Sequence, residues 1–263
     1  MTEPILPHPD QAPPCGHCGR QGPLCVCALL TPKRTRHRVV VLQHPQEQDR
    51  ALGSAPLLTR GLRNCDVRVG LSWRNLADAL GQEEAPLRPW AVLYPASLPK
   101  GGRAAVLEAG GHPHGAYLMN ARGRVLPAWP ALGGILLLDG TWSQAKALWW
   151  RNPWLLKLPR LGFAAPPQSI YGRVRKEPKP GYLSTLEAAT AALDALGEDA
   201  AVGAGLRRAF RTLVQRLRDA HDTGRPGPAS APHGPRRQRQ RQRPKAPQAG
   251  GMMPSMNDDT QPR

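Results

Sequence analysis

The segment Ile135-Leu136-Leu137-Leu138-Asp139-Gly140-Thr141-Trp142 contains the most apolar run of the chain, followed at once by an acidic residue and a glycine. Four consecutive aliphatic residues are typical of a strand that is buried on both faces, as the strands of parallel sheets are. Residues 143–151 then predict a helix, and similar apolar runs occur at residues 38–44 and 90–94. Because such strands alternate with helical patterns, the sequence predicts an α/β fold with a largely parallel sheet.

Three further elements follow from the same periodicities. Residues 66–72 alternate as a strand, and residues 48–63 have leucines near helical spacing, interrupted by Pro56. Residues 185–196 begin with a hydroxyl residue followed by Glu187, a pattern typical of helix starts. Residues 205–221 predict an amphipathic helix, whose apolar face is formed by Leu206, Phe210, Leu213, Val214 and Leu217.

The charge of the chain indicates the kind of partner that it binds. Its 263 residues include 36 Lys and Arg against 19 Asp and Glu, a formal net charge of +17. Such an excess favours a polyanion, and above all a nucleic acid. No apolar run reaches the length of a membrane span, and the N-terminus has Glu3 and Asp10 but no apolar signal segment. We therefore expect a cytosolic protein with no membrane partner.

Composition divides the chain into four parts. Residues 1–14 are proline-rich and are predicted to be flexible, residues 15–37 contain a cysteine knuckle, and residues 38–221 form the α/β domain. Residues 222–263 have many prolines, eight basic residues and three acidic ones, with few aliphatic residues. Such a segment cannot bury enough apolar surface to fold, so we expect a disordered basic tail. It is either a solubilising extension or an arm that binds RNA phosphates without sequence specificity.

The knuckle has the spacing C-x2-C-x6-C-x-C, formed by Cys15, Cys18, Cys25 and Cys27. Two pairs of thiolates separated by a short loop can complete a tetrahedral site, so the pattern predicts one structural zinc ion. Such a metal would stabilise the N-terminal part or present it to RNA. A set of reduced free thiols and a redox pair are the alternatives. The fifth cysteine, Cys65, stands apart and is interpreted as a core thiol.

Two segments are candidates for the chemistry. Asp139 follows a buried strand, at the edge where open α/β sheets bind ligands, and could accept a proton or orient a nucleophile. Alternatively it caps the helix that starts near Ser143. The second segment, residues 181–188, gathers hydroxyls and a carboxylate at a helix start, a pattern that capping by itself explains better than a binding site does. The basic loop 171–180 precedes it and is suited to phosphate contacts. The chain lacks the dinucleotide, P-loop, H-E-x-x-H and G-x-S-x-G motifs.

Five segments together resemble the DTW-domain family of tRNA-uridine aminocarboxypropyltransferases. They are the four-cysteine knuckle, His44-Pro45-x-Glu47, Leu93-Tyr94-Pro95, Leu138-Asp139-Gly140-Thr141-Trp142 and Ser184-Thr185-Leu186-Glu187-Ala188. The resemblance covers residues 15–221 and implies a SPOUT-like α/β domain at 38–221 with a C-terminal knot. It also implies S-adenosylmethionine as donor, and transfer of its 3-amino-3-carboxypropyl group to N3 of a tRNA uridine with release of methylthioadenosine.

The resemblance also implies roles for individual residues. Asp139, Thr141 and Trp142 would be catalytic, with Asp139 accepting or orienting the N3 proton. The donor would be held by Tyr94, Pro95, Leu138, Asp139, Gly140, Leu183, Ser184, Thr185 and Glu187. Trp142 could stack on a base or belong to the core, and Glu187 could hold the amino group of the donor or cap its helix. The tRNA contacts would come from Arg50, Lys146, Arg173, Arg175 and Lys176.

Two other functions remain open from the sequence. One is a SPOUT-like RNA methyltransferase that uses the same donor, which would release S-adenosylhomocysteine instead of methylthioadenosine. The other is a non-catalytic RNA-binding module composed of the zinc knuckle, the basic domain and the arginine-rich tail. None of these patterns predicts an oligomeric state.

Overall fold

A computed structural model describes residues 13–48, 53–94, 106, 112–172 and 183–222. Six strands in these ranges form one sheet in the order β2-β1-β5-β3-β6-β4. They are β1 (Arg38–Gln43), β2 (Cys65–Val69), β3 (Trp90–Leu93), β4 (Ala116–Met119), β5 (Gly134–Asp139) and β6 (Arg160–Phe163). The pair β4–β6 is antiparallel and the other neighbours are parallel. The predicted α/β fold with a largely parallel sheet is confirmed.

Helices cover both faces of this sheet. They are α1 (Ala55–Gly61), α2 (Leu76–Leu80), α3 (Trp142–Arg151), α4 (Thr185–Ala195) and α5 (Ala200–Asp222). Alternate residues of a strand point to opposite faces, so Ile135 and Leu137 pack with α1, α4 and α5, whereas Leu136 packs with α2 and α3. Two hydrophobic cores on either side of β1 and β5 make these strands the buried centre of the domain.

Several predicted boundaries are corrected by the structure. The strand predicted at 66–72 is Cys65–Val69, because its partner β1 ends at Gln43, opposite Val69. Pro56 does not interrupt the helix predicted at 48–63. It lies in the first turn of α1, where a proline needs no N–H partner. Residues 49–52 of that prediction lie outside the described residues.

The helix predicted at 205–221 begins earlier, at Ala200, and α2, β4 and β6 were not predicted from the sequence. The short loop before α5 contains Glu198, whose side chain is 6% exposed. Burial alone would raise its pKa. Hydrogen bonds from the main-chain N–H and the ring Nδ1 of His37, and from the Arg36 main chain, outweigh burial and lower the pKa of Glu198. This carboxylate therefore joins the start of β1 to the α4–α5 loop.

The cysteine knuckle packs directly on the α/β domain. Leu24, Val26 and Leu30 belong to the same hydrophobic core as the apolar face of α5, and Arg216 Nη1 donates a hydrogen bond of 2.6 Å to the main-chain oxygen of Cys25. Residues 1–12 and 223–263 lie outside the described residues, so the flexible N-terminus and the disordered tail stay predictions. None of the described helices is long and apolar enough to cross a bilayer.

Candidate functional site at the carboxyl ends of β1 and β5

The Asp139 carboxylate is the centre of the candidate site. Asp139 is the last residue of β5, is 8% exposed, and lies opposite Gln43 in the parallel register of β1. Gln43 Nε2 donates a hydrogen bond of 2.7 Å to Oδ2, and the Thr185 hydroxyl donates to Oδ1. One carboxylate therefore joins the ends of two strands to the first turn of α4. A carboxylate oxygen has two acceptor positions, so each oxygen can still accept a second proton donor.

The turn after β1 lies beside this carboxylate. The His44 main-chain N–H donates to the Asp139 carbonyl oxygen at 2.9 Å, and the His44 ring accepts a hydrogen bond of 3.2 Å from the Gln46 main chain. Gln144 of α3 donates to the Gln46 side chain at 3.1 Å. The His44-Pro45-x-Glu47 segment is thus held against the start of α3, and Glu47 is buried within it.

The helix after β5 is capped by Thr141, so the alternative role of Asp139 as its cap is wrong. Thr141 and Gln144 form a reciprocal capping box at the start of α3. A Cβ atom at Gly140 would lie 2.8 Å from Gln144 Cβ, so the tight turn between β5 and α3 requires glycine. Thr141 supplies the cap, and the Asp139 side chain instead accepts hydrogen bonds from Gln43 and Thr185.

Residues 183–187 form the second wall of the site. Ser184 caps α4, and Glu187, 3% exposed, accepts hydrogen bonds from the main-chain N–H groups of Ser184 and Ile170. The predicted capping role of Glu187 is therefore confirmed, and the same side chain ties α4 to residue 170. Leu183 is half-buried at this turn. A direct contact of Glu187 with a donor stays a prediction.

Aromatic residues line the α3 side of the sheet. The Tyr94 ring, directly after β3, stacks on Trp149 with centroids 4.2 Å apart and planes 15° apart, and burial raises the pKa of Tyr94. Leu138 is partly buried against the same cluster. Trp142 is not a core residue, because 37% of it is exposed.

The exposed face of α3 combines aromatic and basic side chains. Trp142, Lys146 and Trp150 are spaced four residues apart, so they lie along one face of the helix, and all three are exposed. Trp150 is 66% exposed and was not among the predicted site residues. We name this face the α3 stripe. Five predicted site residues lie outside the described residues, and their roles stay predictions: Pro95, Arg50, Arg173, Arg175 and Lys176.

The four knuckle cysteines converge on one point. The Sγ atoms of Cys15, Cys18, Cys25 and Cys27 all lie within 4.8 Å of one another, and Cys18 and Cys25 are 3.9 Å apart. A tetrahedral zinc ion with sulfur ligands at 2.3 Å requires S–S separations of about 3.8 Å, so the cluster fits this metal. Hydrogen bonds from the main chain of His17 and Cys18 lower the pKa of the Cys15 thiol to about 6, whereas burial raises the pKa of Cys25 and of Cys27.

Cys65 lies apart from this cluster, as expected. It is 9% exposed, and burial raises the pKa of its thiol to about 12. Gln43, which orients Asp139, was not among the predicted site residues. The sequence feature that could have identified Gln43 is its position as a polar residue at the end of the aliphatic run of β1.

Comparison with known proteins identifies relatives of this chain. The family model described as the DTW domain matches residues 12–218. Among curated proteins, tRNA-uridine aminocarboxypropyltransferase 2 of Mus musculus is 29% identical over 210 residues, 78% of this chain and 64% of that protein. The Drosophila melanogaster protein of the same name is 32% identical over 216 residues, 79% of this chain and 76% of that protein.

A third relative, tRNA-uridine aminocarboxypropyltransferase A of Arabidopsis thaliana, is 26% identical over 200 residues, 70% of this chain and 73% of that protein. The aligned part covers slightly less than two thirds of the Mus musculus relative, at 64%, and of a Macaca fascicularis relative, at 62%. No solved structure matches the chain.

Proposed function

This chain belongs to the DTW-domain family, and on that premise we propose that it is a tRNA-uridine aminocarboxypropyltransferase. The observation that carries the proposal is the match to relatives of this name over 200 residues or more. The buried carboxylate at the carboxyl ends of β1 and β5 supports it, because open parallel sheets bind their ligands at this edge. The proposed acceptor is N3 of a tRNA uridine, and the proposed location is the cytoplasm.

The reaction requires a donor, an acceptor and a route for one proton. S-adenosylmethionine supplies an electrophilic carbon, so that a new N3–carbon bond forms while the carbon–sulfur bond breaks and methylthioadenosine leaves with the bonding electrons. The N3 proton passes to a base, and the proposed acceptor or orienting group is the Asp139 carboxylate. Gln43 and Thr185 hold that carboxylate in one orientation. Fixed orientation of reacting groups is a major source of rate acceleration.

The charges of the site suit the donor. S-adenosylmethionine has a positive sulfonium and a positive amino group, and Asp139 and Glu187 are buried acidic side chains of the site. We assign donor binding to the segments after Tyr94 and Leu138 and around Ser184, which include Gly140, Leu183 and Thr185. Thr141 shapes the turn between Asp139 and α3 through its capping box. Trp142, with 37% of its surface exposed, can stack on a base.

The tRNA would contact the basic surface around this edge. The α3 stripe offers two aromatic faces and the Lys146 ammonium, a combination that binds single-stranded nucleotides by stacking and charge. We further assign one structural zinc ion to the knuckle, and a SPOUT-like fold with a knotted C-terminal half to the α/β domain. The return of the chain at Thr185 to the end of β5 supports that fold.

The test is an assay of the purified full-length protein with S-adenosylmethionine and unmodified tRNA, followed by mass spectrometry of the digested nucleosides. We expect 3-(3-amino-3-carboxypropyl)uridine in the tRNA and methylthioadenosine in solution. S-adenosylhomocysteine with a methylated base would identify a methyltransferase. Binding of tRNA without any modified base would identify a non-catalytic module.

A matched pair of variants tests the role of Asp139. Asp139→Asn keeps the size of the side chain but removes its charge, and we expect a loss of about 100-fold or more in turnover. Asp199→Asn makes the same change at an exposed carboxylate on the loop before α5 and should leave turnover unchanged. Equal turnover of the two variants would remove Asp139 from the chemistry.

A further inference from the structure

A cavity of about 320 Å³ lies between the cysteine knuckle and the end of α1. Its walls include His17, Pro32, Thr59, Arg60, Arg63 and Cys65. No carboxylate of the described residues lines it. Cys65 begins β2, opposite Val39, whereas Asp139 lies opposite Gln43 at the other end of β1. Four strand residues correspond to about 13 Å, so this cavity and the Asp139 site lie at opposite ends of the same strands.

The Arg60 guanidinium is the feature of this cavity that requires an explanation. Its Nε atom is buried, and no described residue accepts a hydrogen bond from this atom. Leaving such a donor without an acceptor is unfavourable. Arg60 lies in the last turn of α1, where the helix dipole favours a positive charge. The dipole accounts for the charge at this position but provides no acceptor for the buried N–H.

The other polar groups of the cavity do not neutralise this charge. Arg63 Nε donates a hydrogen bond of 3.3 Å to the Pro32 carbonyl oxygen, and its side chain is a second cation. Burial raises the pKa of the Cys65 thiol to about 12, so the thiol is neutral. The adjacent Asp66 carboxylate is already bound by Arg38 Nη2 at 2.6 Å. Two arginine residues therefore line a cavity whose described walls include no carboxylate.

We propose that this cavity binds a backbone phosphate of the tRNA substrate, with Arg60 and Arg63 as its ligands. The proposal rests on the proposed function. Guanidinium groups bind phosphate oxygens through parallel N–H donors, and Arg60, a partly buried residue of the cavity wall, would supply such donors beside Arg63. The net charge of +17 favours a nucleic acid as the source of the phosphate. A tRNA that reaches the Asp139 site is large enough to contact both ends of the strands.

The first test measures tRNA affinity between 50 and 300 mM salt for three proteins. Arg60→Gln removes the guanidinium of the cavity, and Arg122→Gln is the matched control, because Arg122 lies in an exposed turn elsewhere. We expect Arg60→Gln to bind tRNA several-fold more weakly and to lower the slope of log affinity against log salt by about 1. The control should keep the slope of the unaltered protein. Equal slopes for all three folded proteins would overturn the proposal.

The second test follows the arginine Nε–H signals by NMR, with the Arg60 signal assigned by its loss in Arg60→Gln. We expect tRNA to shift this signal at concentrations where inorganic phosphate and a mononucleotide do not. A shift with the mononucleotide and none with tRNA would identify a small-molecule site instead. Product analysis separates the phosphate site from the proposed activity. If no modified uridine forms but Arg60→Gln lowers the salt slope of tRNA binding, the proposed activity fails and the phosphate site stands. If modified uridine forms and Arg60→Gln leaves the slope unchanged, the activity stands and the phosphate site fails.

Discussion

The hydroxyl of Thr185 is predicted to be a main source of the stability of the Asp139 site. Thr185→Val replaces this hydroxyl with a methyl group and keeps the branched shape of the side chain. The Ser184 cap and the Gln43 bond to Asp139 remain. The variant therefore removes one charge-assisted hydrogen bond from a carboxylate that is 8% exposed, and leaves the start of α4 otherwise unchanged.

The expected loss follows from the charge and burial of the acceptor. A hydrogen bond to a charged group contributes about 1.5–3 kcal/mol, and the small remaining exposure of Asp139 places the expected value near 2 kcal/mol. With a urea dependence of about 2 kcal/mol per molar, the unfolding midpoint should fall by about 1 M. Thr185→Ser, which keeps the hydroxyl, should retain most of this stability.

Equilibrium unfolding in urea, followed by circular dichroism, measures the difference between the two variants. A double-mutant cycle with Asp139→Asn provides the internal check, because the effect of Thr185→Val should shrink when the acceptor has no charge. Identical midpoints for the valine and serine variants would refute the reasoning, since the bond would then contribute no net free energy.

Three further outcomes are expected. Glu198 has a lowered pKa, so it stabilises the fold above its ordinary value of 4.5 and this contribution is lost as the pH falls below that value. Thermal melts at pH 7 should thus show a lower melting temperature for Glu198→Gln than for the unaltered protein, and this difference should shrink at low pH. A difference in melting temperature that does not change with pH would contradict this. Elemental analysis should find one zinc ion per chain and less in Cys18→Ser, which should also melt at a lower temperature; full occupancy in the variant would exclude Cys18 as a ligand. Trp150→Ala should weaken tRNA binding about tenfold by loss of base stacking, whereas Leu156→Ala, at another exposed apolar side chain, should not; equal affinities would remove Trp150 from the tRNA surface.

The elements that the sequence predicts best are the ones buried on both faces. The aliphatic runs of β1 and β5 are short and rich in branched residues, as strands buried on both faces are, and both strands were predicted. Strand β6 was missed because it is four residues long and includes Gly162, where a Cβ atom would lie 2.6 Å from the Tyr117 ring. The start of α5 was missed because Gly203 disfavours a helix. A Cβ atom there would lie 2.8 Å from Asp194 Oδ1 and from Arg207 Nη1, the two groups of an ion pair between α4 and α5.

The candidate site shows a similar division. Asp139 and Thr185 were predicted because each follows from local sequence, one at the end of a strand and the other at the start of a helix. The bond between Gln43 and Asp139 was not, because it depends on the register of two strands whose bonded residues are 96 positions apart. The cavity at Arg60 could not be predicted for the same reason, because its walls combine residues 17 and 32 with residues 59–65, which only the fold brings together.

The bond from Arg216 to the Cys25 carbonyl joins residues that are 191 positions apart. A ribosome that adds about 5–20 residues per second needs about 10–40 s to make the intervening chain. During that interval the apolar side chains of Leu24, Val26 and Leu30 have no α5 to cover them. A metal ion captured early by the four thiols would keep the emerging N-terminal segment folded until α5 is made. The order of synthesis would thus give a bound ion a role in folding before α5 is made.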